Sequence, residues 1–215
     1  MQIAILLYDR FTALDAVGPY EILARTPGAE TVFVAERAGT VRNDNRGSLG
    51  LVADRTLGEV RRPDIVVVPG GPGQTGQMDN PALLDWLREA DTATTWTTSV
   101  CTGSLLLAAA GLLDGRRATS HWLALDALRV QGARPTGERV VIDGKYVTAA
   151  GVSSGIDMGL TLLGRIAGDE RAQAVQLLTE YDPQPPYDAG SPQKAPAHLV
   201  EELRAAGRFP RAERP

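Results

Sequence analysis

Cys101 is the only cysteine in 215 residues, and it stands where the strand-like run Thr95-Trp96-Thr97-Thr98-Ser99-Val100 gives way to the helix-like run Thr102-Gly103-Ser104-Leu105-Leu106-Leu107-Ala108. A thiol at the first turn of a helix meets unpaired backbone N–H groups and the positive end of the helix dipole. Those features favour the thiolate and predict a pKa below the free value of about 8.5. The same N–H groups can hold an anion that develops on a substrate. Ser99-Val100-Cys101-Thr102-Gly103 also has the form of a strained strand-to-helix elbow, with cysteine where α/β hydrolases carry serine. A lone cysteine is often one more small buried hydrophobe. Here its position and flanks point to a nucleophile.

In an open α/β sheet, ligands bind beyond the carboxyl ends of the strands. Three loops fall at such ends: Tyr8 to Glu21, with Leu14-Asp15-Ala16-Val17-Gly18-Pro19; Pro69-Gly70-Gly71-Pro72-Gly73; and the segment at Cys101. Asp15, the double glycine and Cys101 are therefore expected at one place. Glycines let a backbone turn its amides toward a ligand, so Gly71 and the amide of Thr102 are candidates for an oxyanion hole; a tight turn with no ligand is the simpler role. No phosphate-loop lysine follows, and the spacing is not a dinucleotide fingerprint.

A hydrolase triad needs a histidine, and the chain has only His121 and His198. His121 opens a helical run in Ala118-Thr119-Ser120-His121-Trp122, where capping, packing and catalysis are all open to it; His198 falls in the terminal helix and reads as a surface residue. That leaves Asp15 as the acid-base partner, or else as the N-cap of the helix that follows. A carboxylate close to a thiolate raises the pKa of at least one of the two. A protonated Asp15 can donate a hydrogen bond to the thiolate and later accept a proton from water.

The elements that must position these residues follow from short apolar runs alternating with helical patterns up to about Gly168, the pattern of parallel strands joined by helices. Strands are predicted over 2–8, 31–36, 64–69, 94–100 and 146–149, and shorter ones near 48–53, 117–119 and 138–142. The polar segment 39–55 reads as a hairpin excursion. Helices are predicted over 15–26, 80–91, 102–113, 121–131, 154–167, 169–180 and 196–206. Asn80-Pro81 supplies an N-cap and a first-turn proline, and Gly155 and Gly159, one turn apart, allow a close backbone approach. The proline-rich segment 181–192 is expected to be extended, either as a linker or docked through Tyr181 and Tyr187. With one short helix after it, the chain reads as a single domain, 1–215.

Hydrophobic residues make up 43% of the chain and charged residues 22%, enough apolar material for a sizeable core. The net charge of −4 comes without a basic block, which argues against nucleic acid and for small molecules or proteins as partners. One cysteine and two histidines exclude an internal disulfide framework and argue against a zinc site. The opening Met1-Gln2-Ile3-Ala4-Ile5-Leu6-Leu7-Tyr8-Asp9 is neither signal peptide nor membrane span, so a cytoplasmic location is expected.

These residues together resemble the ThiJ/PfpI superfamily, and within it the isonitrile hydratase (isocyanide hydratase) group. The resemblance is carried by Leu14-Asp15-Ala16-Val17-Gly18-Pro19, Pro69-Gly70-Gly71, Ser99-Val100-Cys101-Thr102-Gly103-Ser104, Gly111-Leu112-Leu113, Arg117-Ala118-Thr119-Ser120-His121-Trp122, Gly151-Val152-Ser153-Ser154-Gly155-Ile156-Asp157 and Glu180-Tyr181-Asp182-Pro183-Gln184-Pro185-Pro186. The last of these is the more specific, because the cysteine motif is widely shared. The resemblance implies a flavodoxin-like three-layer α/β sandwich, mainly parallel, with Cys101 as nucleophile on its elbow and Asp15 as acid-base residue. It gives Thr102 a positioning role; Gly70, Gly71 and Thr102 stay the candidates for substrate contact, and His121 a candidate supporting residue behind them.

The implied reaction hydrates an isonitrile to an N-substituted formamide through a thioimidate, without metal or organic cofactor, in a homodimer. The superfamily's protease branch has histidine directly after the cysteine, where Thr102 stands; glyoxalase and deglycase members have glutamate where Asp15 stands. Ligand-sensing domains of AraC-type regulators share the cysteine-helix-histidine run but continue into a helix-turn-helix pair. A glyoxalase-like enzyme and a cysteine redox or ligand sensor remain the alternatives.

Overall fold

The structure, a computed structural model, describes residues 1–207. The first half of the chain forms β1 (Gln2–Leu6), α1 (Ala13–Leu23), β2 (Glu30–Ala35), β3 (Gly39–Arg42), β4 (Gly50–Ala53), β5 (Arg55–Thr56), β6 (Ile65–Val68), α2 (Gln74–Gln77), α3 (Pro81–Asp91) and β7 (Trp96–Val100). Then come α4 (Gly103–Ala109), β8 (Arg117–Ala118), α5 (Leu125–Val130), β9 (Arg134–Pro135), β10 (Val140–Asp143), β11 (Tyr146–Ala149), α6 (Ser154–Ala167), α7 (Asp169–Leu178) and α8 (Ala197–Ala205).

One seven-stranded sheet runs in the order β10-β11-β7-β6-β1-β2-β5. Every neighbouring pair is parallel except β10 with β11. The central strand β6, Ile65-Val66-Val67-Val68, is buried along its whole length, as expected of a β-branched strand covered on both faces. The helices α1, α6 and α7 pack together on one side, and α2, α3, α4 and α5 on the other. This is the parallel α/β arrangement that the alternating pattern implied, and the flavodoxin-like sandwich that the resemblance implied.

Close packing of α1 on α6 depends on glycines. A Cβ on Gly155 would lie 3.0 Å from the Pro19 ring, and one on Gly159 2.9 Å from Ile22 Cβ. The predicted segment 39–55 is the antiparallel hairpin β3–β4, extended by β5. It reaches the loop after β1 through a bridge between Phe11 and Asn43. Asn80 caps α3 as expected, its Oδ1 accepting from the Ala82 N–H at 3.1 Å.

Three boundaries differ from the sequence expectation for identifiable reasons. The helix expected at 15 begins at Ala13, so Asp15 is not its cap but sits inside its first turn, fully buried. The helix expected over 102–113 ends at Ala109, where Gly111 adopts a φ of 80°. The helix expected over 121–131 opens as a 3₁₀ turn at 122–124, capped by His121, before α5. The elements β5, α2 and β9 hold two to four residues, too few for a periodicity to register.

The segment after α7 is tied down at one tyrosine only: the Tyr181 hydroxyl meets Asp157 Oδ1 at 3.2 Å, whereas Tyr187 is 80% exposed. Helix α8 buries no residue, and its Arg204 guanidinium lies 5.7 Å from the Trp122 ring centroid. Among the described residues no helix is long and apolar enough to cross a membrane.

Candidate active site

Where β7 ends, Cys101 takes a φ of 57° and turns the chain into α4. A non-glycine residue in this left-handed region is strained and persists only where its surroundings fix it. Here they do so from both sides. The Cys101 N–H donates to the carbonyls of Ala149 and Ala150 at 3.0 and 3.1 Å. Its carbonyl accepts from the hydroxyls of Ser104 at 3.2 Å and Ser120 at 3.0 Å. Gly103 follows because a Cβ there would stand 2.0 Å from the Val68 carbonyl oxygen. The elbow is therefore a close crossing of two backbones.

Asp15, Cys101, Thr102, Gly70 and Gly71 are brought together, as their positions at strand ends predicted. The Gly70 N–H donates to Asp15 Oδ2 at 2.9 Å, and the Gly71 N–H to Thr102 Oγ1 at 3.0 Å. The Asp15 carboxyl and the Cys101 thiol are hydrogen-bonding neighbours, and both the N–H and the hydroxyl of Thr102 serve the sulfur. Asp15 Oδ1 is buried and takes no N–H or O–H hydrogen bond among the described residues. Both glycines are demanded by space: a Cβ on Gly70 would lie 2.5 Å from the Thr102 nitrogen, and one on Gly71, whose φ is 133°, 2.5 Å from that of Thr12.

Two expectations need correction. The amides of Gly70, Gly71 and Thr102 are not presented to a ligand; each already holds a side chain of the site. The Cys101 thiol also lies above its ordinary range rather than below it. Burial is the main cause and the neighbouring Asp15 carboxylate the next, and they outweigh the stabilising bonds from Thr102. Placement at the head of a helix does lower a thiol pKa, but α4 has only seven residues and Cys101 is almost wholly buried.

Burial likewise pushes the Asp15 carboxyl up to about 8, with a contribution from the Asp44 carboxylate, against the Gly70 N–H and the Cys101 thiol, which pull it down. The site thus holds a carboxylic acid near neutral pH instead of a carboxylate.

Two residues join the site that sequence reasoning had not singled out. Tyr8, just beyond β1, donates its hydroxyl to the Pro69 carbonyl at 2.9 Å. Its phenol is held above its usual range by burial, then by the charges of Asp15, Cys101 and Asp44. Asp44 comes from the turn of the β3–β4 hairpin, and its Oδ2 accepts from the Thr12 hydroxyl at 2.8 Å. Tyr8 lay within a loop already flagged as a strand end; Asp44 sits in a polar stretch with no local signal.

His121 is a buttress. Its Nδ1 accepts from the Leu123 N–H at 3.3 Å, and its ring packs so tightly on Gly151 that a Cβ there would lie 2.3 Å from Cδ2. It thereby backs the loop whose carbonyls hold the Cys101 amide. His198 is exposed on α8. No group of three or more His, Cys, Asp or Glu side chains among the described residues could hold a metal ion.

A family model described as the DJ-1/PfpI family matches residues 1–165. An isonitrile hydratase from Pseudomonas putida is 42% identical over 204 residues, spanning 95% of this chain and 89% of its own. The transcriptional regulator CdhR of Pseudomonas aeruginosa is 39% identical over 127 residues, but these are 57% of this chain and 37% of the regulator. Among solved structures, a ThiJ/PfpI family protein from Pseudomonas syringae superposes with a TM-score of 0.92 at 38% identity, covering 96% of this chain and 85% of that one.

Proposed function

Because the chain belongs to the DJ-1/PfpI family, we propose that it is an isonitrile hydratase, adding water to an isonitrile R–NC to give the formamide R–NH–CHO. The observation that carries the reading is the Asp15–Cys101 pair: a buried carboxyl that still holds its proton near neutral pH, set against the chain's one thiol. The 42% identity to an isonitrile hydratase along nearly the whole chain supports the choice of substrate class.

The terminal carbon of an isonitrile accepts both a nucleophile and a proton. Cys101 sulfur forms the S–C bond, Asp15 delivers its proton to that carbon, and the carboxyl takes the proton leaving sulfur. The product is the thioimidate R–N=CH–S–Cys101. Water then adds to the same carbon, giving its proton to the carboxyl while the nitrogen receives one. Collapse of the resulting R–NH–CH(OH)–S–Cys101 breaks the C–S bond, releases the formamide and returns the proton to sulfur. A carboxyl anchored through Oδ2 with Oδ1 unclaimed by N–H or O–H donors suits such two-way transfer. Thr102 orients the sulfur, and no metal or organic cofactor enters these steps.

The test is incubation of the purified protein with one alkyl and one aryl isonitrile, with formamide followed by NMR. Turnover of either is expected. No turnover of both, together with activity on methylglyoxal, would replace this reading with the glyoxalase one. A sensor would keep an oxidised Cys101 without turnover, whereas an enzyme would lose rate in proportion to oxidised Cys101, so mass spectrometry alongside activity separates the two.

The same reading includes a cytoplasmic single-domain protein acting as a homodimer. Leu177, Leu178 and Leu203 are 79%, 70% and 51% exposed, apolar surface that a second copy would cover. Light scattering at micromolar concentration is expected to give twice the 22.9 kDa chain mass; the mass of one chain would count against it.

A further inference from the structure

Two consecutive peptide groups of the double-glycine loop carry hydrogen bonds at both ends. The Pro69 carbonyl accepts from the Tyr8 hydroxyl at 2.9 Å, and the N–H of that same peptide, on Gly70, donates to Asp15 Oδ2 at 2.9 Å. The next peptide repeats the arrangement: the Gly70 carbonyl accepts from the Thr12 N–H at 2.8 Å, and the Gly71 N–H donates to Thr102 Oγ1 at 3.0 Å. Each peptide thus takes a proton donor from the loop after β1 and passes one to a side chain of the site, Asp15 in the first case and Thr102 in the second. All of these groups are buried except Thr12, which is partly so.

We infer that Tyr8 is a positioning residue of this site, acting on Asp15 through the Pro69–Gly70 peptide, which it both fixes in orientation and polarises. A donor on a peptide oxygen draws electron density toward that oxygen and makes the peptide's N–H a stronger donor, and such chains strengthen cooperatively in a low dielectric. A stronger Gly70 donor favours the carboxylate form of Asp15. The phenol therefore moderates an acid that burial alone would drive higher. The Thr12 line supports Thr102 in parallel, but its donor is a backbone N–H that no side-chain replacement removes. The ionisable groups facing Asp15 are Cys101, Tyr8 and Asp44.

The inference rests on the Asp15–Cys101 pairing of the proposed function, and its test does not require an isonitrile. Iodoacetamide alkylation of Cys101, the only thiol, is followed against pH by mass spectrometry. Formation of a monoanion on the coupled pair sets the reactive limb. In Tyr8→Phe, with the carbonyl donor removed, that limb is expected to move to higher pH by about half a unit, the scale of one modest hydrogen bond. Replacing Tyr8 by 3-fluorotyrosine, a stronger donor that keeps the bond and the packing, should move it the other way, and this second variant decides the matter if Tyr8→Phe does not fold. Unchanged alkylation profiles in the folded variants, or shifts of the same sign in both, overturn the inference. Absence of isonitrile turnover by the native protein, with the profiles shifted as stated, would leave it standing and count against the substrate assignment instead.

Discussion

Ser120 donates its hydroxyl to the carbonyl of Cys101 at 3.0 Å from 19 residues further along the chain. With Ser104 on the same carbonyl, it secures the left-handed turn that aims the sulfur. Ser120→Ala leaves one donor where there were two in a fully buried place. Urea unfolding is expected to show a loss of about 1 kcal/mol, and turnover should fall further than so small a loss of folded protein explains.

Roles within the site separate by substitution. Cys101→Ala should abolish turnover with the fold intact, because no other side chain offers a soft nucleophile. Asp15→Asn keeps shape but cannot shuttle the proton, so kcat/KM should drop by about 10²- to 10⁴-fold. His121→Asn can still accept from the Leu123 N–H, and its loss should be smaller. If His121→Asn were inactive while folded and Asp15→Asn active, the acid-base assignment would be wrong.

Asp15 also gives stability a pH dependence with a definite sign. Its folded pKa is raised from 3.8 to about 8, so between those values the folded state binds more protons than the unfolded one, and stability falls as pH rises. This contribution is fully present below about pH 4 and lost through pH 8. Urea melts at pH 5, 7 and 8.5 should show a steeper decline for the native protein than for Asp15→Asn; parallel slopes would mean that the carboxyl is not held protonated.

The contact between α1 and α6 predicts a sharp local intolerance. Gly159→Ala places a methyl 2.9 Å from Ile22 Cβ, a branch point that cannot rotate away. Overpacking of this kind costs about 1–3 kcal/mol. Gly76→Ala is the control: nothing lies within 4 Å of a Cβ there, and thermal melting should barely change.

Tyr181 is the tether of the tail, joined to Asp157, which Arg139 also grips through its Nε at 2.6 Å. These groups are partly exposed, so Tyr181→Phe should alter global stability by less than about 1 kcal/mol. Amide hydrogen exchange is expected to quicken over 182–196 and to stay unchanged in the sheet.

The meeting of Asp15 and Cys101 was legible because strand-to-helix junctions follow from apolar runs and topology puts their loops at one edge. Cys101, Asp15 and the two glycines all rest on that rule. The direction of the thiol's shift was not legible: a helix start can be read along the chain, but the closure of Thr102 and Asp15 around the sulfur is a property of packing. Nor could sequence show that the Gly70 and Gly71 amides face inward, since glycine permits either orientation. Asp44 was out of reach for a different reason, because only the hairpin's fold-back over Phe11 brings it near.

That fold-back divides the site into two kinds of material. Asp15 and Cys101 stand on the sheet and its packed helices, in α1 and at the end of β7. The charge that helps set the strength of the acid arrives on an excursion outside the seven-stranded sheet, held to the frame by Asn43 and by Asp44 itself. The Asp44 carboxylate, the smallest of the influences on Asp15, thus reaches it from the rim and not from the sheet.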